Sequence, residues 1–204
     1  MKLIQNDIVI ILRTLRQAVY FAVMIAFVFL LHWLARTFFS ETFVEDGVVE
    51  SIQLGILFAA TLSFLIQACI NKDYTYILLL LASASMMACF RECDSFFDHL
   101  PYLSWKIGFI FPFTAICFSL KNFKKIKKSL IRFLSSPPFS MMVCAMIIVI
   151  PVAQCIGHGP FVRNVLGIQN ISQIKELFEE AAEALGYMLI FLSSIECIWS
   201  MPKK

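Results

Sequence analysis

Residues 17–35 read QAVYFAVMIAFVFLLHWLA, an apolar run that contains no charged side chain. A helix of this length rises about 1.5 Å per residue and therefore crosses the roughly 30 Å hydrocarbon core of a bilayer. The chain of 204 residues is 60% hydrophobic and only 15% charged, and its mean hydropathy is +0.81. Because a soluble domain of this size has too little interior to bury so much apolar surface, we expect an all-α bundle of transmembrane helices.

Further apolar runs follow the first one, and together they predict a polytopic protein with about six spans. The expected spans are 17–35, 48–70, 74–97, 102–120, 139–156 and 174–199. Residues 3–16 place apolar side chains on one helical face, which predicts an interfacial helix ahead of the first span. No connecting segment is long enough to separate two domains, so we expect a single transmembrane domain over residues 1–204.

Charged residues sort onto opposite sides once the six expected spans are laid across a membrane. One side collects most of the 17 basic residues, namely Lys2, Arg13, Arg16, Lys72, Lys121, Lys124, Lys125, Lys127, Lys128, Arg132, Lys203 and Lys204. The other side collects most of the 14 acidic residues, namely Glu41, Glu45, Asp46, Glu50, Glu92, Asp94, Asp98, Glu176, Glu179, Glu180 and Glu183. Since Lys and Arg resist translocation, both termini should be cytoplasmic.

The main basic segment covers residues 121–135 and contains no acidic residue. We interpret it as a cytoplasmic loop that contacts the anionic headgroups of membrane lipids. Nucleic acid is not an expected partner, because the segment is short, lies next to apolar spans and is not part of a recognisable nucleic-acid-binding motif.

Carboxylates recur at helical spacing on the outer ends of three expected spans. The stripes are Asp46, Glu50 and Gln53 on the second span; Ser85, Cys89, Glu92 and His99 on the third, if its helix continues that far; and Glu176, Glu179, Glu180, Glu183 and Tyr187 on the sixth. A charged side chain at mid-bilayer costs about 2.5–3.5 kcal/mol on insertion scales. Glu50, Glu92 and Glu183 are the deepest, so they should face the bundle interior, where they need a cation, a proton or an arginine.

The excess of acids over bases on this side favours a bound divalent metal. The expected ligands are Glu50, Glu92, Asp94, His99 and His158. Mixed carboxylate and imidazole ligands suit zinc or another first-row metal such as manganese, whereas carboxylates alone would suit calcium. The alternative interpretation is a set of solvated helix ends, because the helix dipole favours acidic residues such as Asp46 and Glu176 near N-termini.

Two functional hypotheses follow from this acidic and histidine-containing cluster. In the first, the protein is a metal-dependent hydrolase or transferase that acts on a lipid or lipid-linked substrate, with Glu183 or Glu180 as general base and Arg91 holding a phosphate or an oxyanion. In the second, it is a non-catalytic membrane sensor, a channel-like subunit or a scaffold, which assembles as a homo-oligomer or with a partner protein, and the cluster binds cations or protons. The sequence contains no HExxH, GxSxG or Walker A motif that would decide between them.

Three short motifs carry a resemblance to other proteins. They are Glu45-Asp46-Gly47-x-x-Glu50-x-x-Gln53, Arg91-Glu92-x-Asp94 and Glu179-Glu180-x-x-Glu183-x-x-x-Tyr187. This set resembles a pattern of uncharacterised bacterial multi-pass inner-membrane proteins, and the resemblance implies no activity. Membrane hydrolases of the alkaline ceramidase type also join acids and histidines from several spans. This chain departs from them in its six expected spans and in a last span without histidine, so their chemistry is not carried over.

Overall fold

The computed structural model describes residues 2–37, 47–93, 105–158 and 172–201. All the regular structure in these ranges is helical, which confirms the all-α prediction. By its internal contacts the chain divides into two compact units, residues 1–39 and 40–204. The expectation of one transmembrane domain stays a prediction. The first unit holds helix α1 (Lys2–Thr37), in which the predicted interfacial segment continues into the first apolar run without a break.

The described part of the second unit contains seven α-helices. They are α2 (Val48–Ile70), α3 (Thr75–Glu92), α4 (Ile110–Leu120), α5 (Phe123–Leu134), α6 (Pro137–Ile147), α7 (Ala153–Gly157) and α8 (Ser172–Ser200). A 3-10 helix, Trp105–Phe109, leads into α4, and a π-helical turn, Ile148–Val152, joins α6 to α7. Pro151 lies in this turn. Proline lacks the N–H for the usual helical hydrogen bond and its ring clashes with the carbonyl four residues earlier, so a wider turn fits there.

Within the described ranges, five helical stretches are long and apolar enough to cross a membrane, which is typical of a membrane protein. They are Asp7–Thr37, Val48–Ile70, Thr75–Glu92, Pro137–Gly157 and Lys175–Ser200. The stretch at the fourth predicted span is also apolar, but its described helical part, Lys106–Leu120, is shorter. A helix normally needs about 20 residues to cross the hydrocarbon core, so helix length supports five of the six predicted crossings directly.

Helix α8 is the centre of the second unit. It packs against α2 on one side and against α6, the π-helical turn and α7 on the other. Helix α2 packs in turn against α3, and α3 against α4. The buried core between them includes Leu57, Phe64, Leu78, Tyr187 and Ile190. This packing places the first turns of α2 and the last turn of α3 beside the N-terminal half of α8, a region that we call the acidic end.

The basic segment forms a helix, α5, and the prediction of a loop at 121–135 was wrong in this respect. Ser129 and Phe133 are buried against the bundle, where α5 contacts α3, α4 and α6. Phe123 and Leu134 are exposed although they are apolar. Lysines occupy the remaining side of the helix. This distribution is typical of a helix that lies at a membrane surface, with apolar side chains toward lipid and charged ones toward water. We call this end of the unit the basic end.

Helix α3 ends at Glu92, and Cys93 lies in a turn. The predicted third span continued to residue 97, and its stripe depended on a helix that reached His99. Asp94 and His99 themselves lie outside the described residues.

Candidate functional site

An ionic network joins α3 to α8 at the acidic end. Arg91 Nη2 lies 2.7 Å from Glu92 Oε1 and 2.5 Å from Glu183 Oε2. Arg91 Nε donates a second hydrogen bond to Glu92 Oε1, at 2.9 Å. One guanidinium group therefore bridges a carboxylate from each helix, and hydrogen bonds between charged partners are the strongest of the common types.

Tyr187 completes this network from one turn further along α8. Its hydroxyl donates to Glu92 Oε1 at 2.6 Å and accepts from Arg91 Nη2 at 2.7 Å. The guanidinium carbon of Arg91 lies 5.9 Å from the centre of the Tyr187 ring, within the range of a cation–π interaction. Tyr187 thus contributes in two ways, because its hydroxyl hydrogen-bonds to Glu92 and Arg91 and its ring packs against the Arg91 guanidinium group.

Burial explains why these partners are needed. Glu92 is 8% exposed and Glu183 is 5% exposed, and an unpaired carboxylate at such a position carries a large desolvation cost. Arg91 has a second favourable effect, because it lies in the last turn of α3, where the helix dipole favours a cation and disfavours the carboxylate of Glu92. Arg91 therefore compensates two buried carboxylates at once.

A second contact joins α2 to α8 beside this network. Gln53 is fully buried, and its amide nitrogen Nε2 donates to the Glu180 main-chain oxygen and to Glu180 Oε2, both at 3.0 Å. The amide oxygen of Gln53, Oε1, is buried and has no hydrogen-bond partner among the residues that the structure describes. Since Nε2 already serves two acceptors, exchanging the amide atoms would lose both bonds. An unpartnered buried oxygen beside a carboxylate marks a position that a donor or a cation would complete.

Several carboxylates of the described helices gather at this end. Glu180 interacts electrostatically with Glu183, Glu92 and Glu50. Arg91 contacts Glu92 and Glu183, as described above, whereas the hydrogen-bond partner shown for the Glu180 side chain is the neutral amide of Gln53. Glu180 is therefore held by a neutral group, whereas Glu183 is held by a charged one.

The predicted site residues divide into those that meet and those that do not. Glu92, Glu183 and Arg91 meet directly, and Glu180 lies beside them. Glu50 lies in the first turn of α2, half-buried, and interacts with Glu180. His158 is exposed at the C-terminal end of α7. Within the described ranges, no group of three or more His, Cys, Asp or Glu side chains is arranged to hold a metal, and the predicted five-ligand set stays a prediction.

Two residues of the site, Gln53 and Tyr187, belonged to the predicted stripes, but the sequence analysis assigned no function to them. Gln53 lies one turn after Glu50 and Tyr187 one turn after Glu183, so the helical spacing alone placed both at the correct depth. Their roles depend on which side chains meet across helices. The polar character of Gln53 within an apolar span was the available signal for a buried contact.

Comparisons with protein families, with curated proteins and with solved structures found no match to this chain.

Proposed function

We propose that the protein is a multi-pass protein of the bacterial inner membrane with both termini in the cytoplasm. Five long apolar helices support membrane insertion, and Lys106–Leu120 would supply a sixth, shorter crossing. The sorting of basic and acidic residues supports the orientation, because Lys and Arg favour the cytoplasmic side. In this orientation the acidic end faces outward and α5 lies on the cytoplasmic surface.

We further propose that the acidic end binds a small inorganic cation through oxygen ligands. The observation that carries this proposal is the buried Gln53 Oε1, which has no partner within the described ranges and belongs to the amide group whose nitrogen binds the Glu180 carboxylate. A cation there would satisfy the amide oxygen and offset the charge of Glu180. Glu50, in the first turn of the same helix as Gln53, can supply a further oxygen.

The chemistry of these donors selects the class of cation. Carboxylate and amide oxygens are hard ligands, which suit sodium, calcium, magnesium or manganese, whereas zinc prefers imidazole and thiolate. The contacts of the described network come from carboxylate, guanidinium, amide and phenol groups. Calcium or manganese is therefore a better candidate than zinc, unless a histidine from outside the described residues joins the site.

The role that best fits this geometry is a non-catalytic, cation-responsive sensor or channel-like subunit. Arg91 holds Glu183 at 2.5 Å, so this carboxylate is already paired and is poorly suited to act as a general base. The network and the Gln53 contact connect α2, α3 and α8. A bound cation would change the balance of charge among these three helices, and such a change can be passed to a partner protein or to a second copy of the chain.

The lipid-directed hydrolase or transferase is the second candidate. It is favoured by one observation, namely that the Gln53 amide fixes a carboxylate oxygen of Glu180. A fixed carboxylate that no arginine of the described residues contacts is the arrangement expected of a general base. In this case Glu180, rather than Glu183, would take the proton, and the metal would activate water or the substrate.

Changing Glu180 to glutamine tests the cation site with little change in shape. A ligand at 100 times its dissociation constant stabilises the folded protein by about 2.7 kcal/mol. We expect calcium or manganese to raise the melting temperature of the detergent-purified wild type and to have little effect on Glu180→Gln.

Glu176→Gln is the matched control for this experiment. Glu176 lies about one turn before Glu180 on α8 and is exposed, so the same change of charge should leave the response to cations intact. Equal responses in the wild type and both variants, or no response to sodium, calcium, magnesium, manganese or zinc in the wild type, would refute the proposed site.

A further inference from the structure

An apolar cleft of about 460 Å³ lies between α2, α3 and α4. Its walls include Thr61 and Leu65 from α2, Leu79 and Met86 from α3, and Phe111 and Phe118 from α4. This volume is within the usual range for sites that bind small molecules. The cleft lies within the second unit and does not include the carboxylates of the acidic end.

The cleft offers its occupant no free hydroxyl group, although three of its lining residues carry one. Thr61, Ser83 and Thr114 each donate to a main-chain oxygen of their own helix, those of Leu57, Leu80 and Phe111 respectively. The surface that remains is hydrocarbon. An apolar chain is therefore the occupant that matches the lining.

The residues of α4 that line the cleft lie on the same helical face as a basic residue, Lys121. Phe111, Thr114 and Phe118 recur at spacings of three and four residues, and Lys121 continues the same stripe three residues later. Lys121 keeps helical backbone angles as the C-cap of α4, so its side chain starts from the same face. The Tyr76 ring packs against Phe118, with 5.4 Å between ring centres, at this end of the cleft.

The length of the stripe matches one leaflet of a bilayer. From Phe111 to Lys121 the helical rise amounts to about 15 Å, half of the roughly 30 Å hydrocarbon core. Lys121, Lys124 and Lys125 are exposed beyond the apolar part, and residues 121–135 contain no acid. An acyl chain in the cleft would thus place its headgroup among lysines, which attract anionic lipid.

We infer that the cleft holds one acyl chain of an anionic phospholipid of the cytoplasmic leaflet, whose phosphate group binds Lys121. This inference depends on the proposed membrane placement but not on the cation site. The first lysines of α5 add to the positive potential at the headgroup, and α5 itself lies where the headgroup region would be.

Native mass spectrometry of the full, detergent-purified chain tests the inference with two lipids that carry the same acyl chains. Phosphatidylglycerol is anionic and phosphatidylethanolamine has no net charge. We expect phosphatidylglycerol to bind about fivefold more tightly, as one lysine contact of about 1 kcal/mol implies. Lys121→Gln should remove most of this preference, whereas Lys128→Gln, an equal change of charge further along α5, should retain it.

Filling the cleft tests the position of the acyl chain. Ala115 lines the cleft and Ile116, the next residue, is exposed outside it. Ala115→Phe should weaken the binding of both lipids, and Ile116→Phe should not. Ala115→Leu, a smaller filling, is measured in parallel so that a folding defect in Ala115→Phe leaves the test intact.

Three results would overturn the inference. They are equal binding of the two lipids by the wild type, undiminished lipid binding by the filled variants, and displacement of phosphatidylglycerol by glycerol phosphate. The last result would mean that the lysines bind a free phosphate group and that the cleft holds no acyl chain.

Discussion

Replacing Arg91 with methionine should destabilise the folded bundle by about 3 kcal/mol. Removing one partner of a buried ion pair costs about 3–5 kcal/mol, because the other charge is left buried without compensation. The lower end of this range applies because the Arg91 side chain is 35% exposed while those of Glu92 and Glu183 are only 6% exposed. The free energy of unfolding can be measured by titration with a denaturing detergent in mixed micelles.

Arg132→Met provides the matched control, since it removes the same guanidinium group from a different setting. Arg132 pairs with Asp73 at 3.9 Å, and both side chains are more than 40% exposed. Exposed ion pairs contribute about 0–1 kcal/mol, so this variant should remain close to the wild type. Equal losses in the two variants would contradict the assignment of Arg91 as the compensating charge.

A second change should recover part of the lost stability. Glu183→Gln removes the buried negative charge that Arg91→Met leaves behind, and the double variant should be more stable than Arg91→Met alone. If the two losses simply add, Arg91 and Glu183 are not energetically coupled and the ionic network is not as described.

Changing Gly186 to alanine is expected to destabilise the contact between α8 and α6 by about 1–3 kcal/mol, the usual cost of overpacking. A Cβ atom at Gly186 would meet Val149 Cγ2 closer than real Cβ atoms come to their neighbours, and it would lie 3.3 Å from the Ala145 main-chain oxygen. Val149 is buried and β-branched, so its side chain has few alternative positions.

Gly55→Ala is the control for the glycine change. A Cβ atom at Gly55 meets nothing within 4 Å, and alanine is a better helix former than glycine by about 0.5–1 kcal/mol. This variant should therefore be slightly more stable than the wild type. The opposite order of the two variants would show that α8 and α6 do not pack closely at Gly186.

The sequence was sufficient to predict the fold class and most helix positions. The long apolar runs at 17–35, 48–70, 139–156 and 174–199 all lie within helices or within a helical stretch, because hydrophobicity over this length leaves few other structures. The helical character of α5 was missed. Its lysine-rich composition was interpreted as a loop, although apolar residues recur along it at helical spacing.

For the candidate site, the sequence predicted how deep each residue lies along its helix, but it did not predict which side chains contact each other across helices. Helical spacing placed Glu50, Gln53, Glu180, Glu183 and Tyr187 at similar depth. It could not show that Arg91 would pair with both Glu92 and Glu183, because a contact between two helices depends on how each helix is rotated about its own axis. The part of the third stripe that would reach His99 lies outside the described residues and stays a prediction.

Close helix packing at Gly186 was not predictable from the motifs that were considered. The chain contains no GxxxG pattern, the common signal for close approach of membrane helices. The close approach at Gly186 occurs instead at a single glycine opposite the π-helical turn, where Val149 lies. The looser spacing Ala182-x-x-x-Gly186 was the available signal, since small residues four apart allow helices to approach closely.

The most direct test of the cation site is to count the bound ions. Full-length protein in detergent would be dialysed to equilibrium against calcium, manganese and sodium in turn, and analysed for elements by mass spectrometry. We expect about one calcium or manganese ion per wild-type chain, and a loss of that ion in a Gln53→Leu, Glu180→Gln double variant that is still folded. A wild-type chain without a bound ion, or an equal content in the double variant, would contradict a cation site at Gln53 and Glu180.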